Sequence, residues 1–343
     1  MAAPPARLPR VVTIAVVVNL VVQVGIVVTG GLVRLTASGL GCPTWPECVP
    51  GSFTPTVEQE LGIHPVIEFG NRTLTGVVAV AALAVVVLLW LYRRRLLGYG
   101  LAVLVGTALQ AVLGGITVLT GLHPATVAAH FLVSALLVAV SAALLLRLHE
   151  PDGPRRLLLP APLRLLTAGL VLAGSATVVV GTLVTGSGPH SGDAEVPVRF
   201  DLDPRAISTL HAEGVVLFLG LLLGLLAAVH ALGVPALLRR RTWQLLAVTL
   251  SQGGIGYVQY FTGLPRALVN LHMLGACLLV VALVALVMAT RVRGPVAGPD
   301  GADDARTDAV TGTRTVAGTQ APAAPAAAPA PQAGPRPGQL VTS

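Results

Sequence analysis

The chain has 343 residues, 54% of them hydrophobic and 11% charged, with a formal net charge of +7. Soluble domains carry about 25% charged residues, so this composition excludes a soluble globular fold and points to an integral membrane protein. Lysine is absent, and the arginines lie in short clusters between apolar runs, which is a pattern of membrane topology rather than of nucleic-acid binding.

Apolar runs long enough to cross a hydrocarbon core of about 30 Å fall at 11–33, 66–92, 97–119, 124–148, 161–184, 206–232, 242–261 and 267–290. Solid apolar runs predict α-helices, because barrel strands would alternate in polarity. The expected fold is therefore all-α and integral to the membrane, with eight transmembrane helices. No small-residue cleavage site follows the first run, so it is expected to remain as a span. Arg7 and Arg10, Arg93–Arg95, Arg147 with Arg155, Arg156 and Arg164, Arg239–Arg241, and Arg291 with Arg293 all fall on one side of alternating spans. The positive-inside rule then puts both termini in the cytoplasm of a cell-membrane protein. Two outer loops are long, at 34–65 and 185–205. From 294 the chain turns to Ala, Pro, Gly and Thr, a composition expected of a disordered cytoplasmic tail.

The segment Thr120–His130, TGLHPATVAAH, returns as Thr262–His272, TGLPRALVNLH, with six of eleven positions identical. The end of the first span (27–39) likewise resembles the end of the fifth (178–188). Aligning Ile67 with Ile207 sets Asn71 opposite His211. Two tandem, pseudo-symmetric four-helix bundles follow, one over 1–150 and one over 151–293, with the tail over 294–343.

Each even-numbered span then carries a polar residue at one depth, ~8–9 Å below the outer boundary at 1.5 Å per residue: Asn71, His130, His211 and His272. Imidazole inside an apolar helix needs partners that lipid does not supply. Two facing imidazoles with no thiolate or carboxylate between them, His211 and His272, suit the axial positions of a haem iron. A zinc or copper site, or plain helix-to-helix hydrogen bonding, accounts for the same residues. Glu68 lies three residues before Asn71 on the same helix face, either as a functional carboxylate or as an interfacial partner of Arg72. Cys42 and Cys48 lie in an outer loop, GLGCPTWPEC, where a disulfide is the natural reading and free redox thiols the alternative. The same loop has the makings of a lid. Cys277 reads as core packing. His64, His123 and His190 read as solvated loop residues, and His149 and His230 as interfacial ones.

These residues resemble the haem A synthases, membrane enzymes that oxidise haem O for cytochrome oxidases. The resemblance rests on GLVRLTASGLGCPTWPEC (31–48), IEFGNR (67–72), VAAHF (127–131), TLHAEG (209–214) and NLHML (270–274), and the form of IEFGNR is similar to an actinobacterial-type branch. It implies an oxidoreductase that converts the C8 methyl of haem O to a formyl group through an alcohol. It implies His211 and His272 as ligands of a haem B cofactor, and His130 and Asn71 at the haem O substrate site, with Glu68 as the catalytic carboxylate. The metal-ligating set is thus His130, His211 and His272, and the haem sites lie toward the outer face. Arg34 or Arg266 would pair with propionates, the alternative being that either is only a topological flank. An electron donor, haem O synthase and cytochrome oxidase assembly factors are the implied partners. The family's commoner residue at position 71 is histidine, so the substrate iron would have one open face here. A non-enzymatic b-type cytochrome and a haem transporter or chaperone are the competing classes.

Overall fold

The computed structural model describes residues 8–55, 62–193, 195 and 197–294; the expected disordered tail, from 295 onward, lies outside them. Eight long helices follow one another: α1 (Arg10–Leu35), α2 (His64–Tyr92), α3 (Leu97–Leu119), α4 (Pro124–Leu148), α5 (Ala161–Ser187), α6 (Pro204–Ala231), α7 (Ala236–Phe261) and α8 (Arg266–Ala289). Seven of them combine the length and apolar content needed to cross a bilayer, so the chain is an all-α, multi-pass membrane protein. The exception is α7, which carries Arg239–Arg241, Gln244, Ser251, Gln252 and Gln259 on a helix of 26 residues. It begins at Ala236 rather than near 242, because Pro235 sets the helical entry and arginine is a good helix former.

Helix ends follow local chemistry. Proline occupies the first position of α4 and α6, where its missing N–H leaves no bond unmade. The Asp203 carboxylate caps α6 by accepting from the Arg205 and Ala206 amides at 3.1 and 3.2 Å. The repeated Thr-Gly-Leu closes α3 and α7 in the same way. Gly121 and Leu122, like Gly263 and Leu264, take positive φ. The Leu122 amide bonds the Thr117 carbonyl at 2.8 Å and the Leu264 amide bonds that of Gln259 at 2.7 Å. This is the six-to-one closure of a helix C-terminus, and it explains why that tripeptide recurs.

Contacts between connections show that the helices alternate in direction. At one end the Gly39 amide donates to the Gly192 carbonyl at 3.0 Å, and His190 Nε2 lies 3.0 Å from the Leu264 carbonyl. At the other end Arg93 meets Asp152 at 3.6 Å and Arg293 meets Glu150 at 3.4 Å. There two short strands, β1 (Arg155–Leu157) and β2 (Arg291–Arg293), pair antiparallel. No alternating pattern announces strands so short; ion pairs and backbone bonds hold them.

Helices pack in consecutive pairs, and α1, α4 and α8 meet between the two halves. An apolar cluster fills the arginine-rich end of each half, one around Val12, Val16, Leu89 and Leu144, the other around Leu170, Phe218, Leu222 and Leu245. A third, with Val27, Val138 and Cys277, fills the seam. Cys277 is thus core, as its sequence context indicated.

Candidate functional site

Asn71, His130, His211 and His272 each lie six or seven residues past the first residue of α2, α4, α6 or α8. Depth is therefore matched at the end opposite the arginine clusters. Each of these side chains abuts a glycine on the preceding odd-numbered helix. A methyl at Gly181 would lie 3.1 Å from His211 Cε1, at Gly256 3.5 Å from His272 Cε1, at Gly114 3.4 Å from His130 Cε1, and at Gly30 3.8 Å from Asn71 Nδ2. Close approach of this kind is what glycine permits.

The His211 and His272 rings come together, with centroids 6.4 Å apart and planes at 70°. His211 Nδ1 lies 3.1 Å from the Thr177 carbonyl. A carbonyl only accepts, so Nδ1 carries the proton and Nε2 keeps its lone pair. Behind His272 the Gln252 amide donates to the His272 carbonyl at 2.9 Å, and Gln110 does the same to the His130 carbonyl at 2.9 Å. Gln110 and Gln252 are separated by 142 residues, as are Gly114 and Gly256, and as are His130 and His272. Each histidine of the repeat therefore sits in the same Gln–Gly frame. The histidines were legible in sequence; their glutamine and glycine supports were missed, although the shared offset was there to find.

The first half differs in its fourth position. Asn71 Oδ1 accepts from the Thr29 hydroxyl at 2.7 Å, which holds the amide in one orientation against α1. Glu68 is 5% exposed, and both its oxygens are engaged. Oε2 accepts from the Cys42 amide at 2.7 Å, and Oε1 accepts from Arg72 Nη2 at 2.6 Å and Nε at 3.1 Å. Arg72 in turn donates to the carbonyls of Cys42, Thr44 and Glu47 at 2.7, 2.9 and 3.2 Å. Of the two readings of Glu68, the interfacial pairing with Arg72 is therefore present, and the pair grips the loop. Cys42 and Cys48 are joined in a disulfide. The loop lays Trp45 against Gly115, which leaves no room there for a side chain, next to the Gly114 that abuts His130.

The family comparison sits on this geometry. A model of the COX15-CtaA family, described as cytochrome oxidase assembly proteins, matches residues 13–192. The chain belongs to this family. A Heme A synthase of Bacillus cereus (strain G9842) is 26% identical over 281 residues, 77% of this chain and 88% of that protein. A Heme A synthase of Lysinibacillus sphaericus (strain C3-41) is 39% identical over 129 residues, 35% of this chain and 39% of its own.

Other histidines fall elsewhere. His64 is not simply solvated, since its Nδ1 lies 2.8 Å from the buried Ser38 hydroxyl; it opens α2 and ties that helix to the end of α1. His190 is likewise held, by the Leu264 carbonyl. His149 and His230 lie within reach of carbonyls one turn earlier in the chain, and His230 also accepts from Trp243 at 3.4 Å. Arg34 donates to the Thr185 carbonyl at 2.7 Å, linking the halves, while Arg266 opens α8 and is exposed. Among the described residues there is no group of three or more His, Cys, Asp or Glu side chains able to hold a metal ion.

Proposed function

We propose that this protein is a haem A synthase, an oxidoreductase that converts the C8 methyl of haem O to a formyl group through an alcohol. The observation that carries the reading is the His211–His272 pair. The rings stand 6.4 Å apart between centroids, a spacing at which both imidazoles would reach one metal ion through bonds of about 2 Å. His211 and His272 would hold haem B, with the Thr177 carbonyl fixing the His211 tautomer. The bound group would supply one-electron relay. Glycines 181 and 256 let the two imidazole rings approach α5 and α7 closely.

The N-terminal half is read as the substrate site. His130, held by Gln110 and beside Gly114, is the side chain that would take the iron of haem O. Asn71, turned by Thr29, leaves the facing side open to a small reactant. Glu68 serves this site by fixing the cystine loop through Arg72 and the Cys42 amide, so that Trp45 closes the outer end. Arg34, whose Nη2 reaches Thr185 between the halves, is placed for a carboxylate of either haem.

We take α7 as an eighth crossing, since Leu264 at its outer end contacts His190 and its arginine-rich start follows the pattern of the inner segments. Both termini are then cytoplasmic in a cell membrane, the haem sites face outward, and the two halves meet near residue 150. Expression with a haem O source, followed by haem extraction, tests the activity. Haem A together with the alcohol is the expected product, and haem O alone is the contrary result.

A further inference from the structure

The N-terminal half holds a line of buried polar side chains that runs up to Gln110, and apart from Gln110 the reading above has no use for them. Asn19 of α1 is fully buried and donates to Ser141 of α4 at 3.1 Å. One turn further, Gln23 is 3% exposed and donates to Thr107 of α3 at 3.1 Å. Thr107 stands three residues before Gln110, which bonds both Ser134 and the His130 carbonyl. Neighbours three or four apart on a helix face lie about 5–6 Å from each other, a gap that one water closes. Asn19 Oδ1 and Gln110 Oε1 are buried with no hydrogen-bond partner among the described residues, and such atoms call for bound water.

The other half makes the contrast. At the positions matching Asn19, Gln23, Ser134 and Ser141 the repeat places Leu170, Gly174, Ala276 and Leu283. Phe218 fills the space at Gly174, 2.9 Å from where a methyl would stand, with Leu283 at 3.4 Å. Thr107 and Gln110 do have counterparts, the buried Thr249 and Gln252, and Gln252 Oε1 is unpartnered as well; it is the Asn19, Gln23, Ser134 and Ser141 part of the line that the same fold stands without. Toward the arginine-rich end the line stops at buried Val12, Val16, Leu144 and Leu148. Apolar side chains close it on that side, and at its other end Gln110 bonds the His130 carbonyl.

We infer that Asn19, Gln23, Thr107, Ser141 and Gln110 hold a file of internal water molecules that is continuous with the N-terminal site and closed toward the arginine-rich end. The inference rests on that half being the reacting one, to which the file supplies water. Two measurements separate the claims. In protein carrying 15N-asparagine, the side-chain amides of Asn19, Asn71 and Asn270 are followed by NMR after transfer to D2O. Asn19 exchanging on the timescale of Asn71 is expected; Asn19 protected long after Asn71 has exchanged overturns the water file. This readout needs no turnover, so it stands even if haem O is not the substrate. In N19L/S141A, which borrows Leu170 from the other half, haem O oxidation should fall with haem B content unchanged. An unchanged rate overturns the file's part in the reaction. Should that variant not accumulate, Gln23→Met carries the same expectation and the same refutation.

Discussion

Replacing Arg72 with alanine tests the grip of α2 on the cystine loop. The substitution removes two bonds to Glu68 and three to loop carbonyls, and leaves a carboxylate that is 5% exposed with the Cys42 amide as its remaining partner. Breaking a buried pair from one side costs about 3–5 kcal/mol. The Arg72 side chain is 21% exposed, and solvent screening brings the figure to about 2–4 kcal/mol. The open-loop population should then rise by roughly 30- to 700-fold, at 1.4 kcal/mol per factor of ten. Hydrogen–deuterium exchange of peptides covering 39–52, where the Cys42 amide is protected by Glu68, reads that population directly. Glu68→Ala should have the smaller effect, about 1–2 kcal/mol, because Arg72 keeps its three carbonyls and reaches water. Exchange within threefold of wild type in R72A, or a larger effect in E68A, refutes the reasoning.

His211→Ala should abolish the low-spin b-type absorbance of purified protein, whereas His130→Ala should keep it and lose haem O oxidation; both are read by spectrum and haem extraction. Gly181→Val places a side chain where a methyl alone stands 3.1 Å from His211, and should lower haem B content severalfold in a protein that still folds, measured by haem-to-protein ratio. Asn71→His should add a second low-spin signal when haem O is supplied and slow its conversion, which electron paramagnetic resonance and product analysis would follow. A single unchanged signal would count against the open face at position 71.

Most of the fold was legible because lipid imposes it: a helix that buries no polar backbone must read as a long apolar run, and arginine spacing then gives alternation. α7 was the least legible helix, since its glutamines and serine dilute the run and its arginines look like a loop while continuing the helix. The β1–β2 pair was invisible for a different reason, being held by Arg293, Glu150 and Gly153 from distant parts of the chain. At the site, His130, His211 and His272 stood out because imidazole is rare in lipid. Glu68 was ambiguous in sequence, and only the loop folded against it shows which partners it has. Gln110 and Gln252 were hidden because their role is to bond a backbone carbonyl on another helix, which no local pattern encodes. Glycines 30, 114, 181 and 256 looked like ordinary membrane-helix glycines until the residue facing each was known.

The account turns on one half holding a fixed haem and the other oxidising a second. Haems extracted from the purified protein, produced with a supply of haem O, test this most directly. The predicted result is haem B retained in every preparation, with haem A and its alcohol precursor present in wild type and absent in His130→Ala. Haem B accompanied only by unaltered haem O in folded wild-type protein would contradict it.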